Sequence, residues 1–252
     1  MNCVTLFRRE GHRWLAFSND GGKPDAVIDT NQYVVCADDG GAMLLDPGGM
    51  EAFPPMLAAL TQEVAVENVR GIFFSHQDPD VSSSLPLWRR VCQPETRIHV
   101  PALWVSVLTH LDREATFAPI PDEGMEVTVG GQVKLRLIPA HYLHSPGNFH
   151  AYDPKARILF SGDMGGALVP AQAKSGLFVE NFSSHVAYME TFHRRWMGSP
   201  RARDLWVETV SRLDIDIMAP QHGLAFKGDD VKRFLDWISR LELGSGCAAM
   251  AK

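Results

Sequence analysis

The segment Gly71-Ile72-Phe73-Phe74-Ser75-His76-Gln77-Asp78-Pro79-Asp80 begins as a β-strand and ends as a cluster of metal-ligand side chains. Its first half is the apolar run of a strand buried on both faces. His76, Asp78 and Asp80 then follow at alternate positions, nitrogen and oxygen donors spaced to turn around one or two metal ions. Three other strands end in the same way. Val133–Pro139 runs into His141-Tyr142-Leu143-His144, Ile158–Gly162 ends at Asp163, and Ile217–Gln221 ends at His222-Gly223. Each delivers a His or an Asp just past its last apolar residue, in a loop that a rigid sheet holds in place.

Taken singly, these residues say little. A histidine after a strand is ordinarily a hydrogen-bonded or surface residue, and an aspartate there is a turn former or a helix cap. The argument rests on the set: three imidazoles and three carboxylates, enough for one mononuclear site with ligands to spare or for a dinuclear site. The flanking residues His141, Tyr142 and His150 are read as supports around the ligands. His12, His99, His110, His185 and His193 have no partner at metal spacing and are read as edge or helix-surface residues.

Composition sets the class. The chain has 252 residues, 45% of them hydrophobic and 21% charged, which is the make-up of a globular protein with a real core. A net charge of −6 argues against a nucleic-acid footprint. No apolar run is long enough for a membrane helix, and Arg8-Arg9 interrupts the N-terminus before a signal-peptide core can form. Cys3, Cys36, Cys92 and Cys247 are widely separated without a CxxC, as expected of reduced thiols in the cytoplasm.

Ten short β-like runs are expected, at 14–18, 32–37, 42–45, 71–75, 97–100, 125–129, 133–138, 148–152, 157–161 and 214–218. Helical periodicity appears near 55–66 and 101–111. It appears again in the stripe Phe182, Val186, Met189, Phe192 and Trp196, with Ser183 as candidate cap. Ser199-Pro200 opens a helix through Leu213, and Asp229 or Asp230 opens a last one carrying Val231, Phe234, Leu235, Ile238 and Leu241. The pattern predicts one domain over residues 1–243, two sheets with helices outside, and a flexible tail over 244–252. It is too irregular for βαβ alternation, and no G-x-G-x-x-G follows the first strand.

These residues resemble the metallo-β-lactamase superfamily, and within it the di-iron domain of flavodiiron proteins and the stand-alone oxygen-binding di-iron proteins. The order H-x-[E/D]-x-D, His, Asp, His is kept, with 63, 18 and 58 residues between successive groups. The contexts FFSHQDPD, LHSPGNFHAYD, ILFSGD and APQHG are similar to that family's. The resemblance implies an α+β four-layer αββα sandwich. It assigns His76, Asp78 and His144 to one iron, Asp80 and His222 to the second, and Asp163 to the bridge, with an oxo or hydroxo group between the two irons.

Three departures stand out. Asp78 replaces a usual Glu, Val81 stands where many members have a ligating His, and the flavodoxin-like domain of flavodiiron proteins does not follow. Carboxylates in place of imidazoles favour a harder metal than the histidine-rich zinc hydrolases of this superfamily use. The chain shows no flavin or nucleotide motif, so no flavin is expected.

The main reading is therefore a cytoplasmic protein with two iron ions that binds dioxygen as a sensor. It would report to a signalling partner of the chemotaxis or second-messenger type, with a homodimer as one arrangement. The alternative is an oxygen or nitric oxide reductase served by an external flavoprotein. The third reading is a zinc-dependent hydrolase of the same fold, against which Asp78 and Val81 both argue.

Overall fold

The computed structural model describes residues 1–18, 28–174 and 176–250, and divides into two units, Met1–Ile138 and Pro139–Lys252. The last two residues of the 244–252 tail lie outside the described residues.

The first unit is built on a seven-stranded sheet in the order β1 to β7. β1 (Asn2–Arg9), β2 (His12–Ser18), β3 (Gln32–Cys36) and β4 (Ala42–Leu45) are antiparallel neighbours. β4, β5 (Val69–Phe73), β6 (Arg97–Pro101) and β7 (Phe117–Ile120) run parallel. Parallel neighbours need crossovers, and the connections carry α1 (Phe53–Leu60), α2 (Pro79–Ser82), α3 (Leu85–Val91) and α4 (Val105–Leu108). On one face Leu44, Ile72, Phe74, Ile98 and Val100 pack with Met56, Leu60, Leu85 and Trp88 in one apolar cluster. The hairpin of β8 (Met125–Gly130) and β9 (Val133–Pro139) lays its first strand against β3, β4 and β5.

In the second unit the strands follow the order β13-β12-β11-β10. β10 (Phe149–Asp153) and β11 (Ile158–Phe160) are antiparallel, β11 and β12 (Ile217–Ala219) parallel, and β12 and β13 (Phe226–Lys227) antiparallel. They are accompanied by α5 (Phe182–Trp196), α6 (Pro200–Val210) and α7 (Asp229–Arg240). Residues 244–250 are tied back, Gly244 N–H to Met197 O and Ser245 N–H to Arg194 O, and close with a helical turn, α8 (Cys247–Met250).

Among the described residues all ten expected strands form, and three more appear. β1 is exposed on both faces and so shows no alternation, β7 contains Pro119, and β13 has only two residues. Pro119 is compatible with β7 because this strand is the sheet edge, where a missing N–H costs no ladder bond.

The helix boundaries also shift. The cap of α5 is Asn181, whose side chain accepts the Ser184 N–H at 3.1 Å, and not Ser183. Ser199 does cap α6, accepting from Ala202, but that helix ends at Val210 rather than Leu213. The 101–111 region holds only a 3-10 turn and the four-residue α4. The α5 stripe is displaced as well: His185, Met189, Phe192 and His193 are buried while Trp196 is half exposed.

Candidate metal centre

In the first unit, β5 carries the chain to Phe74, whose N–H continues the ladder to His99 O. His76 follows and is buried. Its orientation is fixed from behind. Asp46 accepts the Ser75 N–H at 2.7 Å and the Ser75 hydroxyl at 2.5 Å. The single Ser75 hydroxyl proton is thereby committed, so its oxygen accepts from His76 Nδ1–H, 2.8 Å away. That tautomer puts the ring's lone pair on Nε2, the nitrogen that would ligate a metal.

Asp78 then begins α2, its carbonyl accepting Val81 N–H and Ser82 N–H. Pro79 at the first helical position suits the start of a helix. Gln77 Nε2 donates to Asp78 Oδ1 at 2.8 Å, and Asp78 Oδ2 lies 3.7 Å from His76 Nε2. Asp80 is half-buried in the first turn. Val81 is fully buried in the apolar cluster of this unit.

In the second unit, three loops converge on one carboxylate. Asp163 Oδ2 is 2.6 Å from His144 Nε2, and Asp163 Oδ1 is 3.3 Å from His222 Nε2. All three side chains are buried. The His144 loop is clamped by Asn148, which accepts from Ser145 and donates to Leu143 O at 2.8 Å. His222 is held by its neighbour Gln221, whose N–H reaches Gly162 O, and by its own carbonyl, which accepts Ala167 N–H. Gly223 turns away with φ 77°, and a Cβ there would strike the Ala167 carbonyl.

Aromatic rings of α5 lie edge-on to two of these imidazoles, Trp196 to His144 at 5.1 Å and Phe192 to His222 at 6.3 Å. The trio is two imidazoles around one buried carboxylate. Such nitrogen and oxygen donors around a shared carboxylate suit a divalent or trivalent transition metal. His144 and Asp163 also offer donor atoms within 4.8 Å of one another, as ligands of a common ion would.

The other named residues are placed as follows. His150 is buried with Nδ1 accepting the Trp206 indole N–H at 3.0 Å, so that nitrogen is committed to α6. His141 packs edge-on to Phe149 at 5.2 Å, and Tyr142 is exposed. Four of the histidines read as surface residues, His12, His99, His185 and His193, are in fact buried; His110 is exposed. Their rings take aromatic neighbours, His12 against Phe7 and His185 against Phe226. Burial pushes His99, His185 and His193 down to about 4, with Arg97 adding to the effect at His99.

Asp46, which backs His76 through Ser75, is a residue of this cluster that the sequence does not single out. It ends Leu44-Leu45-Asp46 just past the last apolar residue of β4, the same signal that singled out Asp163.

The model of the family described as ODP family beta lactamase matches residues 28–223. The chain belongs to that family. The structure titled as the peroxy diiron species of chemotaxis sensor ODP is 36% identical, with a TM-score of 0.87 and 100% of each chain covered. The apo state of chemotaxis sensor ODP from T. denticola gives the same identity and score, covering 100% of this chain and 99% of that one. A flavo di-iron protein mutant from Thermotoga maritima is 22% identical, with a TM-score of 0.79 over 94% of this chain and 61% of its own, a likeness of fold. No match was found among curated proteins. The fold is thus the two-sheet metallo-β-lactamase fold expected from the motifs.

Proposed function

We propose that this chain is a non-haem di-iron protein that binds dioxygen and passes the signal to a partner protein of the chemotaxis or second-messenger type. The observation that carries the reading is the pair of ligand trios set at strand ends. His76, Asp78 and Asp80 lie in one unit, and His144, Asp163 and His222 in the other, within a chain 36% identical to a chemotaxis sensor over its full length. His76, Asp78 and His144 would hold one iron, Asp80 and His222 the other, and Asp163 would serve both. Two imidazoles and one carboxylate form the donor set of oxygen-reactive non-haem iron. When bound, the iron pair supplies the electrons that make dioxygen affinity possible.

The protein's own part is to orient and to exclude. Ser75 and Asp46 fix the His76 tautomer, Gln77 holds one oxygen of Asp78, and Asn148 holds the loop that carries His144. Val81, aliphatic where a ligating imidazole is usual in related proteins, offers no donor and no proton. We read residues 1–243 as one working domain, in the cytoplasm, where the free thiols would stay reduced. No described helix is long and apolar enough to cross a membrane.

The deciding experiment is metal analysis of anaerobically purified protein, followed by its visible spectrum as oxygen is admitted. Two irons per chain and an oxygen-dependent absorbance that persists for minutes support the reading. Zinc without an oxygen response, or rapid thioester hydrolysis lost in His76→Ala, would move the protein to the hydrolases. Sustained oxygen or nitric oxide consumption with an added flavoprotein reductase would make it a reductase.

A further inference from the structure

We propose that His193 is a positioning residue for Asp163: from α5 it fixes the Gly165 amide, and with it the loop that presents the Asp163 carboxylate to His144 and His222. The inference rests on the reading of Asp163 as a metal ligand given above.

The hydrogen bonds around the imidazole leave one assignment. Gly165 N–H donates to His193 Nε2 at 3.0 Å, so that nitrogen carries a lone pair. Nδ1 therefore carries the proton and donates to the Met189 carbonyl one turn back, at 2.7 Å. The ring is fully buried and makes edge-on contacts with Phe192, Phe234 and Trp237. Those neighbours would accept a phenyl ring as readily. Packing alone does not call for an imidazole, whose polar atoms are costly to bury without partners. The choice of histidine is explained by the two hydrogen bonds. Its depressed affinity for protons, caused by burial, keeps it neutral at pH 7, so the acceptor at Nε2 persists.

Gly165 is an effective point at which to hold the loop. It has φ 91°, and a Cβ would lie 2.7 Å from the Met218 side chain and 3.0 Å from the Phe226 ring, so the backbone lies close against those side chains. The segment between Ser161 and Gly166 is closed on itself. Met164 N–H bonds to Ser161 O, Ser161 Oγ to Met164 O, and Gly166 N–H to Asp163 O. A segment so closed moves as a piece. Fixing Gly165 therefore fixes Asp163 two residues earlier, and the 2.6 Å and 3.3 Å separations to His144 and His222 with it.

The test uses the full chain with two substitutions. His193→Phe fills the space and removes the acceptor, whereas His193→Gln places an amide oxygen where Nε2 stood. Two readouts apply: affinity for ferrous iron by competition with a chelating dye, and amide hydrogen exchange across residues 161–166 in metal-free protein. The expected result is an affinity about tenfold or more weaker in His193→Phe, the scale of losing a partner that orients a ligand. Exchange in that segment should rise by about the same factor, and His193→Gln should stay near wild type in both. Wild-type affinity and exchange in His193→Phe would overturn the proposal. Equal losses in both variants would do so too, because the role would then be bulk packing. Wild-type protein that binds no iron would remove the metal reading itself, while the exchange comparison would still decide whether His193 holds the loop.

Discussion

Asp46 and Ser75 are joined twice, the Ser75 N–H donating to one carboxylate oxygen and the Ser75 hydroxyl to the other. The pair is buried, and Asp46 holds its place with a positive φ of 42°. Asp46→Ala would strand two donors and keep the strained backbone, whereas Asp46→Asn retains one acceptor and tolerates that conformation. The expected cost of Asp46→Ala is about 1–3 kcal/mol of stability, with a smaller loss for Asn. Metal affinity should fall by roughly 10–100-fold in Asp46→Ala because the His76 tautomer is no longer enforced. Urea unfolding of metal-free protein and metal competition measure the two effects separately.

Asp163→Ala is expected to cost more metal than the loss of any other ligand. One carboxylate stands between His144 and His222, so its removal takes a donor from both irons in the proposed centre. Iron per chain, measured after anaerobic reconstitution and desalting, should drop below one. Retention of two irons with unchanged affinity would refute the bridging assignment.

Val81→His puts a polar ring into a packed apolar cluster. A loss of about 1–3 kcal/mol is expected from overpacking and from burying the imidazole. If the ring nevertheless reaches iron, the oxygen-dependent absorbance should decay faster than in wild type in stopped-flow mixing. Equal lifetimes would leave Val81 as packing alone.

Acid should destabilise the fold earlier than carboxylates alone would require. His99, His185 and His193 titrate near 4 when folded, below the ordinary 6.5 of an unfolded histidine. Between those values the unfolded chain binds more protons, so stability rises with pH through this window. The contribution is fully present above 6.5 and is lost as pH falls toward 4. The urea midpoint of metal-free protein should fall steeply from pH 7 to pH 4.5, and less steeply in His185→Phe. A midpoint flat over that range would contradict the burial of these rings.

What the sequence could reveal tracks where hydrophobicity carries the signal. Strands such as Gln32–Cys36 and Phe149–Asp153 are buried along their whole length and read as unbroken β-forming runs. β1 was invisible because an exposed edge strand needs no apolar face. The six proposed ligands stood out because four apolar runs end in them, His76, His144, Asp163 and His222 just past a strand and Asp78 and Asp80 at alternate positions after His76. Asp46 ends such a run as well, and it was passed over because nothing in the sequence sets it apart from an aspartate that forms a turn. His185 and His193 were misplaced for a different reason. Periodicity counts histidine as polar, so the buried face of α5 was drawn through Trp196 instead, and only the three-dimensional partners show what these rings do.

Helix α5 touches three separate loops at once, with Phe192 beside His222, His193 on Gly165 and Trp196 beside His144. These contacts fall within five consecutive positions near its C-terminal end. Deleting or inserting one residue between the Asn181 cap and Phe192 would rotate that end by about 100° and slide it by about 1.5 Å. All three contacts would be lost together, however small the change in composition. Length variation in descendants of this sequence should therefore be absent from α5 and concentrated outside it, and any lineage that altered the helix by one residue would have to rebuild the cluster of His144, Asp163 and His222 from the loops upward.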